Sequence, residues 1–196
     1  KFKEVIRNSD SFLDVGAGTG LYSLFAMSIN PEIKILSIEA NPYVYDKLLK
    51  NINKNKNTSA QIETLNKAVL NYNKNINFYI PTGDDYSYAT VNKELLENKK
   101  ISYKKIEIEA IDLVDTTNSK FDVIKIDVEG AELDVLEAII KKIENCRFLF
   151  IEIMQENKKG VLELLNKLSF SLLIDSDEDV GNYVFKSEKI IDYGNN

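Results

Sequence analysis

The sequence predicts an α/β fold built on a mostly parallel sheet. Three observations carry that expectation. Short apolar segments with strand character alternate with helical segments along most of the chain. A turn with three glycines joins the first of these strands to the first long helix. The acidic side chains best suited to chemistry fall just after strands, where open parallel sheets bind their ligands.

The elements follow in order. Residues 11–15 (SFLDV) form a short apolar strand that runs into the glycines, and residues 21–29 form a helix closed by Asn30-Pro31. Residues 33–39 alternate as a strand, and 43–56 read as an amphipathic helix through Val44, Leu48, Leu49 and Ile52. A third strand spans 61–65. Residues 75–80 and 103–111 read as antiparallel strands separated by the polar loop PTGDDYSYAT. Residues 121–127 are a strongly apolar strand, 133–143 a helix, 147–153 a strand and 160–168 a helix. The tail reads as a strand pair, 170–174 and 182–185, around the turn-rich acidic stretch DSDEDVGN. Crossovers between parallel strands are right-handed almost without exception.

At 196 residues the chain is one domain's worth, taken as 1–196, and a domain of this size buries roughly 70% of its unfolded surface. It carries 25 Lys and Arg against 31 Asp and Glu, a net charge of −6. Duplex nucleic-acid binders carry a basic footprint, so nucleic acid is not the expected partner. The Lys-rich stretches 47–56 and 99–105 read as solvated faces of a helix and a strand. One Cys cannot make an intrachain disulfide, which fits a reducing, cytoplasmic setting; Cys146 reads as a packing residue. No apolar run approaches the roughly 18 residues of a membrane span, and residues 1–10 lack a signal-peptide core. The chain opens on Lys1, which fits a trimmed start. With no His, a Ser-His-Asp triad, a Cys-His dyad and His-ligated zinc are all excluded within this chain.

The glycine turn is Asp14-Val15-Gly16-Ala17-Gly18-Thr19-Gly20. A dinucleotide fingerprint needs its third glycine at position 21, which is Leu, so a nicotinamide-dependent oxidoreductase is disfavoured. A carboxylate at Asp14 repels a pyrophosphate and attracts an ammonium. Glu39 ends the second strand about twenty residues later, where an acidic residue accepts hydrogen bonds from ribose hydroxyls. Together they describe a nucleoside with a cationic, unphosphorylated end, which S-adenosylmethionine fits. The expected contacts are Asp14, Gly16, Ala17, Gly18, Gly20, Glu39 and Ala40, with Asn66 and Ala68 near the adenine.

The most unusual segment is DVIKIDVEGAE, residues 122–132. Lys125 lies inside an apolar strand, and Asp127, Glu129 and Glu132 follow at its end. Lys125 and Asp127 are two apart and project from the same side, so one reading is an internal ion pair. Glu132 suits a helix N-terminus.

FLDVGAGTGLYSL, IEANP, IKIDVEGAELDVL and FLFIEI, in this order, resemble the FkbM family of S-adenosylmethionine-dependent methyltransferases. The resemblance covers residues 12–152, and its most specific part is IKIDVEGAE. It implies the class I methyltransferase fold, a Rossmann-like three-layer sandwich whose mostly parallel seven-stranded sheet ends in an antiparallel C-terminal strand. It also implies O-methylation of a sugar, glycan or natural-product hydroxyl. The region that often precedes the glycine loop in that family is nearly absent here.

Methyl transfer from a sulfonium is an in-line displacement, so the protein must align donor and acceptor and remove the hydroxyl proton. Without His, a carboxylate is the natural base. Asp127 is the first choice, with Lys125 beside it; binding the cofactor's amino group or a divalent metal are its alternative roles, and no metal is assigned. Glu129 and Glu152 are second candidates. The loop 83–88, polar and aromatic, suits a sugar-like acceptor. The different-class alternative is a non-catalytic cofactor-binding domain serving as a partner or sensor subunit.

Overall fold

The structure is a computed structural model that describes residues 1–55, 61–83, 88–175 and 180–189. In chain order the elements are α1 (Phe2–Arg7), β1 (Ser11–Val15), α2 (Leu21–Ile29), β2 (Lys34–Ile38), α3 (Pro42–Lys54), β3 (Gln61–Leu65), β4 (Ala68–Val69), β5 (Lys74–Pro81) and α4 (Lys93–Asn98). They continue with β6 (Tyr103–Ile111), α5 (Leu113–Thr116), β7 (Val123–Ile126), α6 (Glu132–Ala138), α7 (Ile140–Ile143), β8 (Phe148–Met154), α8 (Gln155–Lys167), β9 (Phe170–Ile174) and β10 (Val180–Ser187).

Seven strands form one sheet in the order β3-β2-β1-β7-β8-β10-β9. The first five run parallel, and β10 runs antiparallel to both β8 and β9. The sheet is apolar on both faces, as buried parallel strands must be. Phe12, Ile35, Val123 and Phe148 pack one face against α1 and α2, through Phe2, Val5, Ala26 and Met27. Their neighbours Leu13, Leu36, Ile124 and Leu149 point the other way, onto Val135 and Leu136 of α6 and Val161 and Leu165 of α8. Alternation along each strand therefore produces three layers. A second sheet, β4-β6-β5, stands apart and carries its own small core of Phe78, Ile80, Ile108 and Ala110.

Several elements were not expected. α1, α4, α5 and the two-residue β4 are too short to leave a periodic pattern. The helix expected over 133–143 is split at Ile139 into α6 and α7. α8 begins at Gln155, before the expected 160, because its first turn (QENKK) offers no apolar periodicity. Gly160 therefore lies inside that helix, where a Cβ would come within 2.9 Å of Leu133 Cδ2 on α6. The missing side chain lets the two helices meet. Residues 84–87 of the polar loop and 176–179 of the turn DSDEDVGN lie outside the described residues. Among the described residues no helix is long and apolar enough to cross a membrane.

Strand order reverses between β1 and β7, so the carboxyl ends of β1, β2 and β7 face a common crevice.

Candidate active site

The glycine turn enters this crevice under tight constraints. The N–H groups of Gly16 and Ala17 both donate to Ile38 O, at 2.9 and 3.0 Å, fastening the turn to the end of β2. A Cβ on Gly16 would lie 1.8 Å from the carbonyl oxygen of Asp127, so the end of β7 passes against bare backbone there. At Gly18 the reverse holds: a Cβ would meet nothing within 4 Å. That open space is a cavity of about 370 Å³, within the usual range of ligand sites.

Glu39 is the keystone of its near wall. Its Oε2 accepts from Gly18 N and its Oε1 from Asn41 N, both at 2.8 Å. One carboxylate thus ties the glycine turn to the start of α3. Burial raises the pKa of Glu39 against the pull of those two donors.

Gly16, Gly18, Glu39, Ala40, Ala68 and Asp127 all face the cavity, together with Glu129. Asp14, Ala17, Gly20, Asn66 and Lys125 lie behind its wall. Asp14 is fully buried, its Oδ2 accepting from Ser23 Oγ at 2.6 Å, and it stands opposite Lys125 in the β1–β7 register. The ammonium that Asp14 faces is therefore the protein's own. Ala17 packs with Leu48 and Ile52, and Gly20 is the N-cap of α2. Asn66 Nδ2 donates to the carbonyls of Glu39 and Ala40 at 2.7 and 3.1 Å, bracing the end of β2 from outside.

Part of the cavity wall is acidic, formed by Asp127 and Glu129, with Glu152 against them. Lys125 Nζ donates to Asp127 Oδ2 at 2.8 Å, so the ion pair expected from the spacing is present. Burial opposes the Lys125 charge, but Asp14 and Asp127 outweigh it, and the pKa ends above the ordinary lysine value. Carboxylate oxygens of Asp127, Glu129 and Glu152 lie within 4.8 Å of one another. Burial, then repulsion from Asp127, Glu152 and Glu132, pushes Glu129 up to about 8. Burial, then a hydrogen bond shared with Asp127, pushes Glu152 up to about 7. Such a trio can hold a proton or a hard divalent cation.

The turn that presents Glu129 is strained and braced. Glu129 has φ +49° and Gly130 φ +88°. Thr90 Oγ1 donates to Glu129 O at 2.8 Å, and Asn157 Nδ2 on α8 donates to Gly130 O at 3.2 Å. Glu132, 1% exposed, accepts from Gly130 N at 2.7 Å and from Asn157 Nδ2, so it serves the helix start. Neither Thr90 nor Asn157 carries a sequence signal for this work, because both reach the turn from distant elements.

Glu129 also links this site to stability. The native chain keeps a proton here that the unfolded chain loses near 4.5, so stability is full below that pH and declines as pH rises through about 8. The Tm should fall between about pH 5 and about pH 9, and Glu129→Gln should flatten that fall. An unchanged slope in the variant would show that Glu129 does not bind the proton.

A sheet of this order with a cavity at the carboxyl ends of β1, β2 and β7 has the class I methyltransferase fold. Residues 14–172 match the family described as Methyltransferase FkbM domain, most of the chain, and the chain belongs to that family. It is 34% identical over 96 residues to ribosomal RNA small subunit methyltransferase G of Mycoplasmopsis pulmonis, covering 47% of this chain and 40% of that protein. It is 27% identical over 154 residues to methyltransferase sdnD of Sordaria araneosa, covering 65% of this chain and 59% of that one. The chain thus spans about half the length of these relatives. Its fold matches the crystal structure of methyltransferase FkbM from Methylobacillus flagellatus KT at a TM-score of 0.62 and 15% identity, over 91% of this chain and 43% of that one.

Proposed function

We propose that the chain transfers a methyl group from S-adenosylmethionine to an uncharged hydroxyl of a sugar, glycan or natural-product small molecule. The observation that carries this reading is the carboxylate trio, of which Asp127 and Glu129 line the cavity and Glu152 stands against them, with Glu129 and Glu152 held near neutrality. Groups of that pKa are matched to take a hydroxyl proton at neutral pH. The chain's net charge of −6 supplies no basic footprint for a nucleic acid.

The residues present fit the cofactor. Gly18 leaves the near wall open and Glu39 offers a buried, fixed carboxylate to a ribose. When bound, S-adenosylmethionine supplies an electrophilic methyl on a good leaving group. The chain's own work is to hold the acceptor and manage its proton. Asp127, which faces the cavity and pairs with Lys125, meets the acceptor hydroxyl, and its hydrogen-bonded partner Glu152 receives the proton through it. Glu129, largely protonated at neutral pH, donates a hydrogen bond to the acceptor.

Labelled-methyl transfer tests the acceptor. Sugar and polyketide hydroxyls should be labelled and ribosomal RNA should not. Labelling of RNA alone overturns the acceptor class, and tight cofactor binding with no transfer to any acceptor favours a binding subunit. By calorimetry, S-adenosylhomocysteine should bind and NAD should not.

Glu39→Ala should weaken S-adenosylhomocysteine about tenfold or more. Each charge-assisted hydrogen bond lost is worth roughly 1.5–3 kcal/mol, and water replaces part of that. A folded variant of unchanged affinity would reduce Glu39 to a clamp between Gly18 and Asn41.

A further inference from the structure

The sheet face covered by α1 and α2 opens at the carboxyl end of β8. β8 and β10 are antiparallel partners, and residues directly opposite one another share a face. Phe148 is opposite Lys186, whose Nζ lies 5.8 Å from the centre of the Phe148 ring, and Phe150 is opposite Val184, which is buried. Phe150 packs edge-on against Phe2 of α1, with ring centres 5.2 Å apart. The next pair on this face is Glu152 and Asn182, and there the cover ends: Glu152 is half-buried and Asn182 is exposed. Opposed residues hold their Cβ atoms about 4.5–5.5 Å apart, so Asn182 stands beside Glu152. On the other side of Glu152, β7 runs in register with β8, Ile126 opposite Ile151, which sets Asp127 next to Glu152.

Asp127, Glu152 and Asn182 thus form one row of polar side chains across three neighbouring strands, which lie about 4.8 Å apart. In the methyl-transfer reading above, on which this inference rests, the acceptor hydroxyl meets Asp127 and its proton passes to Glu152. The third member of the row has no such task, and its side chain makes no hydrogen bond to any described residue. An amide both donates and accepts, so its natural partner is an oxygen of the acceptor, and a second hydroxyl uses both capacities. Asp127 and Asn182 are about 10 Å apart at the backbone. A hydrogen bond of about 3 Å leaning inward at each end leaves the two oxygens on the scale of one sugar ring. We propose that Asn182 is an acceptor-binding residue: it holds a second oxygen of a sugar ring whose reacting hydroxyl lies at Asp127, and so selects polyhydroxylated acceptors over those with an isolated hydroxyl.

The test is labelled-methyl transfer to methyl glucoside, methyl mannoside and methyl galactoside, followed by kinetics on the one labelled best and on its monodeoxy forms. Asn182→Ala should raise KM for that glycoside about threefold to tenfold, the worth of one neutral hydrogen bond. Its kcat, its KM for S-adenosylmethionine and its Tm should stay close to the wild type's. In the wild type one monodeoxy form that keeps the reacting hydroxyl should show the same rise in KM, and in Asn182→Ala that form and the parent should perform alike. An unchanged KM in Asn182→Ala overturns the inference. So does a rise in KM accompanied by an equal loss of kcat or by a lowered Tm, which a disturbed Glu152 or a disturbed strand would give. Labelling confined to polyketide hydroxyls overturns the sugar-ring contact and leaves the methyl-transfer reading standing. Labelling of ribosomal RNA alone, or no transfer to any acceptor, overturns both.

Discussion

Gly18→Val should fold and should lose S-adenosylhomocysteine binding altogether. Gly18 has φ +58°, and the site of its missing Cβ opens onto empty cavity beside Glu39. Two γ-methyl groups placed there would occupy the space that the nucleoside needs. The left-handed backbone makes the substitution strained, at a cost of about 1–3 kcal/mol, which a stability of roughly 5–15 kcal/mol absorbs. The Tm should therefore drop by several degrees while the unfolding transition stays cooperative. Gly18→Ala should show a partial loss of affinity. Calorimetry with the folded variant is the check: affinity equal to the wild type's removes the glycine turn from the site. Gly16 is no substitute for this test, because its Cβ would strike the Asp127 carbonyl and perturb the sheet itself.

The second large effect is on turnover. Glu152→Gln and Asp127→Asn should each lower it by about 10²–10⁴ while leaving S-adenosylhomocysteine affinity in place. The two variants separate roles. If Asp127 instead binds the cofactor's ammonium, Asp127→Asn weakens affinity and turnover together. If the trio holds a metal, EDTA abolishes wild-type activity and Mg²⁺ restores it. If Asp127 serves only Lys125, its variant loses Tm and nothing else. That loss is moderated because Asp127 is a third exposed and Asp14 still faces the buried ammonium. Proton removal by Glu152 also fixes a direction: kcat/KM should rise with pH through about 7, and Glu152→Gln should abolish that limb. Normal affinity, turnover and Tm in both variants would leave the trio with no part in binding, catalysis or stability.

How far such a site can be read from sequence depends on how local its signals are. The glycine turn, Glu39 and the Lys125–Asp127 pair are each set by spacing along one strand and its exit, and all were legible. The strands themselves were legible as short apolar or alternating segments, as at Ser11–Val15 and Lys34–Ile38. α4 was missed although Asn92 caps it, because a six-residue helix beside Lys-rich segments shows no face. Asn66 reads as a base-facing amide in sequence, and only the fold shows that two backbone carbonyls already occupy it. Asp14 reads as a ligand contact because it adjoins the glycines; strand alternation instead turns it under them, toward Ser23.

The close approach of α8 to α6 at Gly160 reaches further than packing. It sets the distance from which Asn157, less than one turn earlier on α8, spans to Gly130 and so holds the bend that aims Glu129. A methyl group at 160 would touch no ligand. It would meet Cδ2 of Leu133, and that side chain would have to turn away from α8 to admit it. Residues of α8 that touch no cavity are thus tied, through Asn157, to the Gly130 bend and to Glu132 beside it.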